Sequence, residues 1–510
     1  MTNRGYSENQ HLSRTRQQLR GFVAVWLGIT ILVSVATFVG IYVGTGKFET
    51  ATASNDGAVI VIAQEDNAET TTIIEETSAS VEPTTNDVKV VEEAPAPNTE
   101  QRIAEESSST RNITENIPPS APLSPSRQDP TPAYTPTIPP RQETKFDLGI
   151  QVVPAFGNDR DRMAGYMDAA ANQLKLNWVK LQVRWEFAEP QPGIYDWEAL
   201  GYDLFFQEAT DKNLKVLVSI VSTPDWARQP GVNLEQHGPP ANNQDFANFV
   251  AALLQRYPGQ IHAVEVWNEM NLAREWTSTN GLSAADYVAM LATVSEVIRF
   301  LDPNIIIISG ALSPTGVNDG VVAIDDFVYT DQLIANGLLN YIDCYGAHHN
   351  GYNIGPNVPF DRVPNDPTAS FRGPFDNPNH SWSFYTTLNT YATKIANAGS
   401  NIPLCVTEFG WAVTEDFDLS SVGGAIPNFE FANDNTLEEQ RIFTVEAIEL
   451  MEEWGFVRLA IIWNLNYGAE AAWDLSRPYR DNMPYSLIRP NYIPAPVWAY
   501  IADMNFRGRP

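Results

Sequence analysis

Eight short apolar runs, each bounded by turn-forming residues and followed by a segment of helical period, restrict what the chain can become downstream of about residue 146. They are DLGIQVVP (147–154), NWVKLQVRW (177–185), LKVLVSIV (214–221), HAVEVWNE (262–269), IIIISGAL (305–312), IDCYGAHH (342–349), PLCVTEFG (403–410) and RLAIIWNL (458–465). Runs of this length without strict polar alternation read as strands covered on both faces, the habit of parallel sheets. Segments between them, such as DFANFVAALLQRY, SAADYVAMLATVSEVIRFL and TLEEQRIFTVEAIELMEEW, have helical apolar spacing. Eight strand–helix units over 146–510 predict an α/β protein with a (β/α)8, or TIM-barrel, fold. No repeat of 20–50 residues is visible, which argues against a solenoid or propeller.

Loop lengths point to the working face of such a barrel. Helix-to-strand connections are short, whereas the strand-to-helix connections after strands six, seven and eight run over about 350–380, 411–435 and 466–492. Long loops without regular structure are usually functional. In a barrel these ones rim the C-terminal face, where active sites lie.

Three zones precede the barrel. Residues 1–20 carry Arg4, Arg14, Arg16 and Arg20 against Glu8, and residues 21–46 carry no charge. The uncharged run exceeds the about 20 apolar residues that a transmembrane helix needs. A cleaved signal peptide is the alternative, but its apolar core is usually about 7–15 residues and ends at a small-x-small site. The expectation is an uncleaved signal-anchor that crosses the cell membrane once, with residues 1–20 cytoplasmic and the barrel extracytoplasmic. Residues 47–145 are rich in Thr, Ser, Pro and Glu, with 17 acids and 7 bases, and are expected to be a disordered linker. Its length serves either as a spacer from the bilayer or no specific role. The formal charge of −30 is shared between linker and barrel, so a nucleic-acid backbone would be repelled. No protein partner is evident; the expected contacts are the lipid bilayer and a substrate.

The fourth run ends in Trp267-Asn268-Glu269 and the seventh in Thr407-Glu408-Phe409-Gly410. Two glutamates therefore stand at the mouth on nearly opposite walls. Cleavage of a glycosidic bond needs such a pair: one carboxyl protonated to supply the leaving oxygen, the other ionised to attack the anomeric carbon. Either glutamate alone would be as well explained by a barrel-mouth ion pair.

WNEMN (267–271), TEFGW (407–411) and the earlier EPQPGIYDW segment, on an eight-strand spacing, resemble the clan of retaining glycoside hydrolases with catalytic glutamates on strands four and seven, closest in character to families 39 and 5. The resemblance implies Glu269 as general acid/base, Glu408 as nucleophile and Asn268 as a hydrogen-bond partner of the sugar 2-hydroxyl. It implies that Arg184, ending strand two, keeps the nucleophile ionised, and that His348 lies near it; a structural ion pair and a core histidine are the rival readings. The clan often has His-Pro-Tyr where this chain has His348-His349-Asn350, with a tyrosine only at Tyr352.

Trp185, Trp226, Trp267, Trp276, Trp411 and Trp463 lie at or just past strand ends, where indole faces stack on sugar rings or fill the core. Trp463 is the first candidate by resemblance, with Trp185 and Trp411 also expected at the sugar. Glu265 shares parity with Glu269 and is expected to be a buried, paired carboxylate, and Glu275 a loop residue. By the same parity, Cys344 faces inward with His348 whereas Cys405 faces the helices, so the two are not expected to bridge unless a bulge flips one strand. No His/Cys/Asp cluster has zinc spacing and no glycine-rich loop has phosphate-binding spacing, so neither metal nor cofactor is expected.

These features predict a membrane-anchored retaining glycoside hydrolase acting on a poly- or oligosaccharide. A non-catalytic glycan-binding module on the same barrel and a transglycosylase are the alternatives. The acidic surface disfavours polyanionic glycans.

Overall fold

The computed structural model describes residues 145–420, 424–471, 482–490 and 492–509. The stretches expected to be a cytoplasmic segment, a signal-anchor and a linker, apart from Lys145, lie outside the described residues. Among the described residues, no helix is long and apolar enough to cross a membrane.

Each apolar run forms a strand: β1 Asp147–Gln151, β2 Trp178–Arg184, β3 Lys215–Val221, β4 Ile261–Asn268, β5 Ile306–Ala311, β6 Tyr345–Gly351, β7 Leu404–Trp411 and β8 Val457–Ile462. All neighbours are parallel, and β1 pairs with both β2 and β8. The order β5-β4-β3-β2-β1-β8-β7-β6 is closed into a barrel by two parallel bridges, Ile308 to Cys344 and Leu312 to Ala347. The helices of eight or more described residues alternate with the strands: α1 Arg160–Asp168, α2 Tyr202–Asp211, α3 Asn243–Arg256, α4 Ala284–Leu301, α5 Asp326–Ala335, α6 Phe384–Asn397, α7 Leu437–Trp454 and α8 Val497–Met504. Local signals set their ends. Thr436 and Glu439 form a reciprocal capping box at the start of α7, and Gly455 ends it with φ 64°.

The barrel interior changes character along its axis. Its lower part is apolar, filled by Trp178, Leu217, Ala263, Ile308, Cys344, Cys405, Leu459 and Ile461. Two residues further along their strands, the inward positions become Lys180, Ser219, Glu265 and Thr407, all fully buried. Charge in the middle of a barrel is costly, because water is absent and the pleat offers no route to the surface. Directly above this layer lie His348 and Glu408.

The parity expected for β7 fails at one point. Ala347 pairs with Val406, but His348 pairs with Glu408, so Thr407 is an inserted residue opposite the β6 strand. Below the insertion Cys405 faces inward, not toward the helices, and it forms a disulfide with Cys344 across a Cα separation of 5.7 Å. The expectation of two unbridged cysteines is thus overturned. The insertion also lets Thr407 and Glu408, adjacent in sequence, both address the barrel interior.

Candidate active site

At the end of β4 the chain turns sharply. Trp267 and Glu269 have φ of 78° and 41°, a left-handed region that side-chain-bearing residues enter at a cost of about 1–3 kcal/mol each. Neighbours hold the turn: Glu269 N donates to Ala311 O at 2.8 Å, Trp267 Nε1 to Glu275 O at 3.0 Å, and Tyr287 Oη to Val266 O at 2.8 Å. The strain buys the direction of one side chain, aimed back over the barrel mouth.

There the Glu269 carboxylate meets His348. Nδ1 of His348 lies 3.3 Å from Glu269 Oε1, and Nε2 lies 3.7 Å from Glu408 Oε1 and 3.8 Å from Glu265 Oε1. One imidazole, 1% exposed, is therefore bracketed by the carboxylates of strands four and seven. Burial alone would lower its pKa, but Glu408, Glu269 and Glu265 together raise it above 6.5. Beneath, Lys180 Nζ lies 3.1 Å from Glu408 Oε1, 3.2 Å from Glu265 Oε2 and 3.2 Å from Thr407 O.

On the solvent side, Arg274 Nη2 lies 2.9 Å from Glu269 Oε2, and its Nε lies 3.4 Å from Glu275 Oε1. Burial pushes the Glu269 carboxyl up, but His348 and Arg274 outweigh it and bring it down to about 2. Glu275 moves the other way, up to about 7, through burial and the negative charge of Glu269. Two carboxyls sharing one arginine are thus driven apart, which is how acid and base roles separate in one site.

The sequence model of the cellulase family (glycosyl hydrolase family 5) matches residues 141–437, more than half of the chain. The chain belongs to glycoside hydrolase family 5. No curated protein matches it. Similar solved structures include a family 39 glycoside hydrolase from Bacteroides cellulosilyticus WH2, with 16% identity and a TM-score of 0.48 over 71% of this chain and 64% of that one. An exo-β-1,4-mannosidase from Opitutaceae bacterium strain TAV5 has 16% identity and a TM-score of 0.44 over 70% and 59%. Native xylanase 10B from Thermotoga maritima has 13% identity and a TM-score of 0.46 over 71% and 96%. This chain spans less than two thirds of the length of the first two.

In this family 5 barrel the expected site residues divide. Glu269, Glu408 and His348 come together, with Asn268 half-buried beside them at the end of β4. Trp463 and Tyr352 join Phe371, Phe429, Phe431 and Tyr485 in an aromatic cluster built from the loops after β6, β7 and β8. Tyr352 is pushed up to about 12 by burial and then by the charge of Glu269, so its hydroxyl is within electrostatic reach of the strand-four carboxylate. Tyr485 is raised by burial, then by Tyr352 and Glu408, and so is the tyrosine within such reach of the strand-seven carboxylate. Nothing local in the loop around 485 announces this.

Three expectations are corrected. Arg184 does not face Glu408; it pairs with Glu186 and lies over the Phe187 ring, 42% exposed, and the cation beside Glu408 is Lys180. Trp185 is fully buried, stacked on Phe249 at 5.5 Å, with Nε1 donating to Glu189 Oε2 at 2.7 Å. Trp411 is 1% exposed, packed against Phe384 and Phe443, with Nε1 donating to Ile354 O at 2.9 Å. Both indoles have their polar atom satisfied inside the core and present no face to a sugar. Lys180 had a signal: a lysine within the apolar strand VKLQV must be buried, and a buried ammonium demands anions.

Folding also creates a cluster that chain spacing hides. Asp325, Asp326 and His380 bring ligand-type atoms within 4.8 Å of one another. Both carboxylates are already engaged: Asp325 caps α5 and meets His380 Nε2 at 2.6 Å, and Asp326 accepts from Tyr391 Oη at 2.6 Å and Thr315 N at 3.1 Å. The trio ties the loops after β5 and β6 to the helix layer.

Proposed function

We propose that this chain is a membrane-anchored, extracytoplasmic, retaining glycoside hydrolase acting on an uncharged poly- or oligosaccharide. The observation that carries the reading is the meeting of Glu269 and Glu408, from β4 and β7, on the single ring of His348. Glu408, the deeper carboxylate and the one facing a buried cation, is the nucleophile. Glu269, facing the solvent side through Arg274, is the acid/base. Held down to about 2 while His348 and Arg274 face it, Glu269 takes up the proton it delivers once a glycan displaces Arg274; His348, raised above 6.5, and Glu275, raised to about 7, stand beside it as proton sources. The aromatic cluster around Trp463 supplies a wall for the sugar.

Export is supported by the buried Cys344–Cys405 disulfide, since such bonds persist in oxidising compartments and are rare in the cytosol, and by the uncharged run 21–46. An uncharged glycan is supported by the acidic balance of the barrel. Ion pairs on both glutamates are also what a glycan-binding module would carry, but the two side chains keep 14% and 9% exposure at the mouth. The test is turnover of a panel of aryl glycosides and neutral polysaccharides by the full chain, with the anomer first released followed by proton NMR. Retention is expected. An inverted product removes Glu408 as nucleophile, and binding without turnover by any substrate supports the module instead.

A further inference from the structure

Lys180 is fully buried in the middle of β2; its Nζ donates to Glu408 Oε1 at 3.1 Å and Thr407 O at 3.2 Å, and forms an ion pair with Glu265 Oε2 at 3.2 Å. Glu265 is also fully buried, and Thr407 Oγ1 donates to its Oε1 at 2.6 Å. One cation thus serves two carboxylates from strands β4 and β7, directly beneath His348. Stability does not demand this, because a buried ion pair is often replaced by apolar residues without loss.

We propose that Lys180 and Glu265 are a counter-ion pair built for the Glu408 nucleophile: Lys180 supplies the positive charge facing Glu408 before attack, and Glu265 takes over that charge when Glu408 becomes an ester. The inference rests on Glu408 being the nucleophile. In the first step a Glu408 oxygen bonds to the anomeric carbon, the bond to the leaving oxygen breaks, and that oxygen keeps the electron pair and takes the proton of Glu269. Glu408 enters as an anion and ends as a neutral ester. A buried ammonium facing Glu408 alone would then be left uncompensated, which is strongly unfavourable. Glu265, within contact distance on the opposite side, prevents this. In the second step a water oxygen bonds to the anomeric carbon, its proton passes to Glu269, and the ester bond breaks to return the negative charge to Glu408. The buried group of three alternates between one net negative charge and none, and never carries an unpaired cation.

Lys180 and Glu265 are positioning residues, so their test reads more than loss of rate. In Lys180→Met the two carboxylates keep only His348, at 3.7 Å from Glu408 and 3.8 Å from Glu265, and the acidic limb of kcat/KM moves to higher pH, with a loss of roughly 100-fold at the acidic side, the scale of one removed electrostatic contact in an active site. Glu265→Gln leaves Lys180 no anion but Glu408, beside the Thr407 carbonyl. Glycosylation, read as kcat/KM on aryl glycosides with poor leaving groups, then slows by roughly 10-fold, while deglycosylation, which restores the partner of Lys180, does not slow. Lys180→Met/Glu265→Gln removes one charge of each sign and carries the test where the single lysine variant does not fold; its acidic limb is also raised. An unmoved acidic limb in both lysine variants, or equal slowing of both steps in Glu265→Gln, overturns the proposal. Glu408→Ala is the control: its inactivity upholds the nucleophile reading whatever the lysine variants do, and full activity overturns both.

Discussion

Arg274 joins Glu269 through Nη2 and Oε2 at 2.9 Å, and it is the one partner of that carboxylate that is itself largely exposed, at 66%. His348, its other partner, is sealed in the barrel. The charge on the acid/base candidate is therefore set by one fixed contact from below and one displaceable contact from above. A glycan entering the mouth meets the displaceable one.

Removing that contact should raise the pH at which the site loses its acid. In Arg274→Met the basic limb of kcat/KM is expected to move up by on the order of one unit, since an adjacent cation lowers a carboxyl by about 1–3 units. Glu275, which Arg274 also restrains, shifts in the same direction. A pH–rate profile checks this; a limb that stays put or falls removes Arg274 from control of the site.

The histidine gives a stability signature. Its folded pKa lies above the ordinary 6.5, so the stability it contributes is fully present below about 6.5 and is lost as pH rises through the folded value. The difference in unfolding free energy between wild type and His348→Gln should therefore be largest near pH 6 and shrink toward pH 9. Urea denaturation at a series of pH values measures it.

Glu408→Ala and Glu269→Gln should each lose orders of magnitude in turnover while still binding glycan, because each removes a bond-making group and leaves the aromatic wall in place. Glu269→Gln should fail most with poor leaving groups, which need its proton. Near wild-type rates in either variant contradict the assignment.

The disulfide closes a loop of 61 residues between two adjoining barrel strands. Cys344→Ala/Cys405→Ala is expected to cost about 2–5 kcal/mol, the usual range for loss of a native bridge. Thiol titration of the unfolded, unreduced chain should find no free cysteine; two free thiols would restore the expectation from strand parity.

The tryptophans separate stability from binding. Trp185→Ala and Trp411→Ala should each destabilise by about 3–5 kcal/mol, as emptied core sites do, and leave KM of the folded enzyme nearly unchanged. Trp463→Ala should change KM or kcat/KM in addition to stability. Thermal unfolding and kinetics on the same samples discriminate the two.

By itself, the sequence determined the barrel and its two leading carboxylates, because those signals are local. An apolar run long enough for a strand, a helical spacing after it and a glutamate at its end can be read within a dozen residues. Only the tertiary structure decided which groups surround those carboxylates. Lys180 replaced Arg184 because the buried layer is assembled from β2, β4 and β7, strands far apart in the chain. The cysteines joined because the one-residue insertion at Thr407 reversed the facing of the lower half of β7, and a period of two carries no memory of where such an insertion falls. Trp185 and Trp411 went to the core because the helices α3, α6 and α7 bring aromatic rings to cover them, a contact that strand-end position alone does not record.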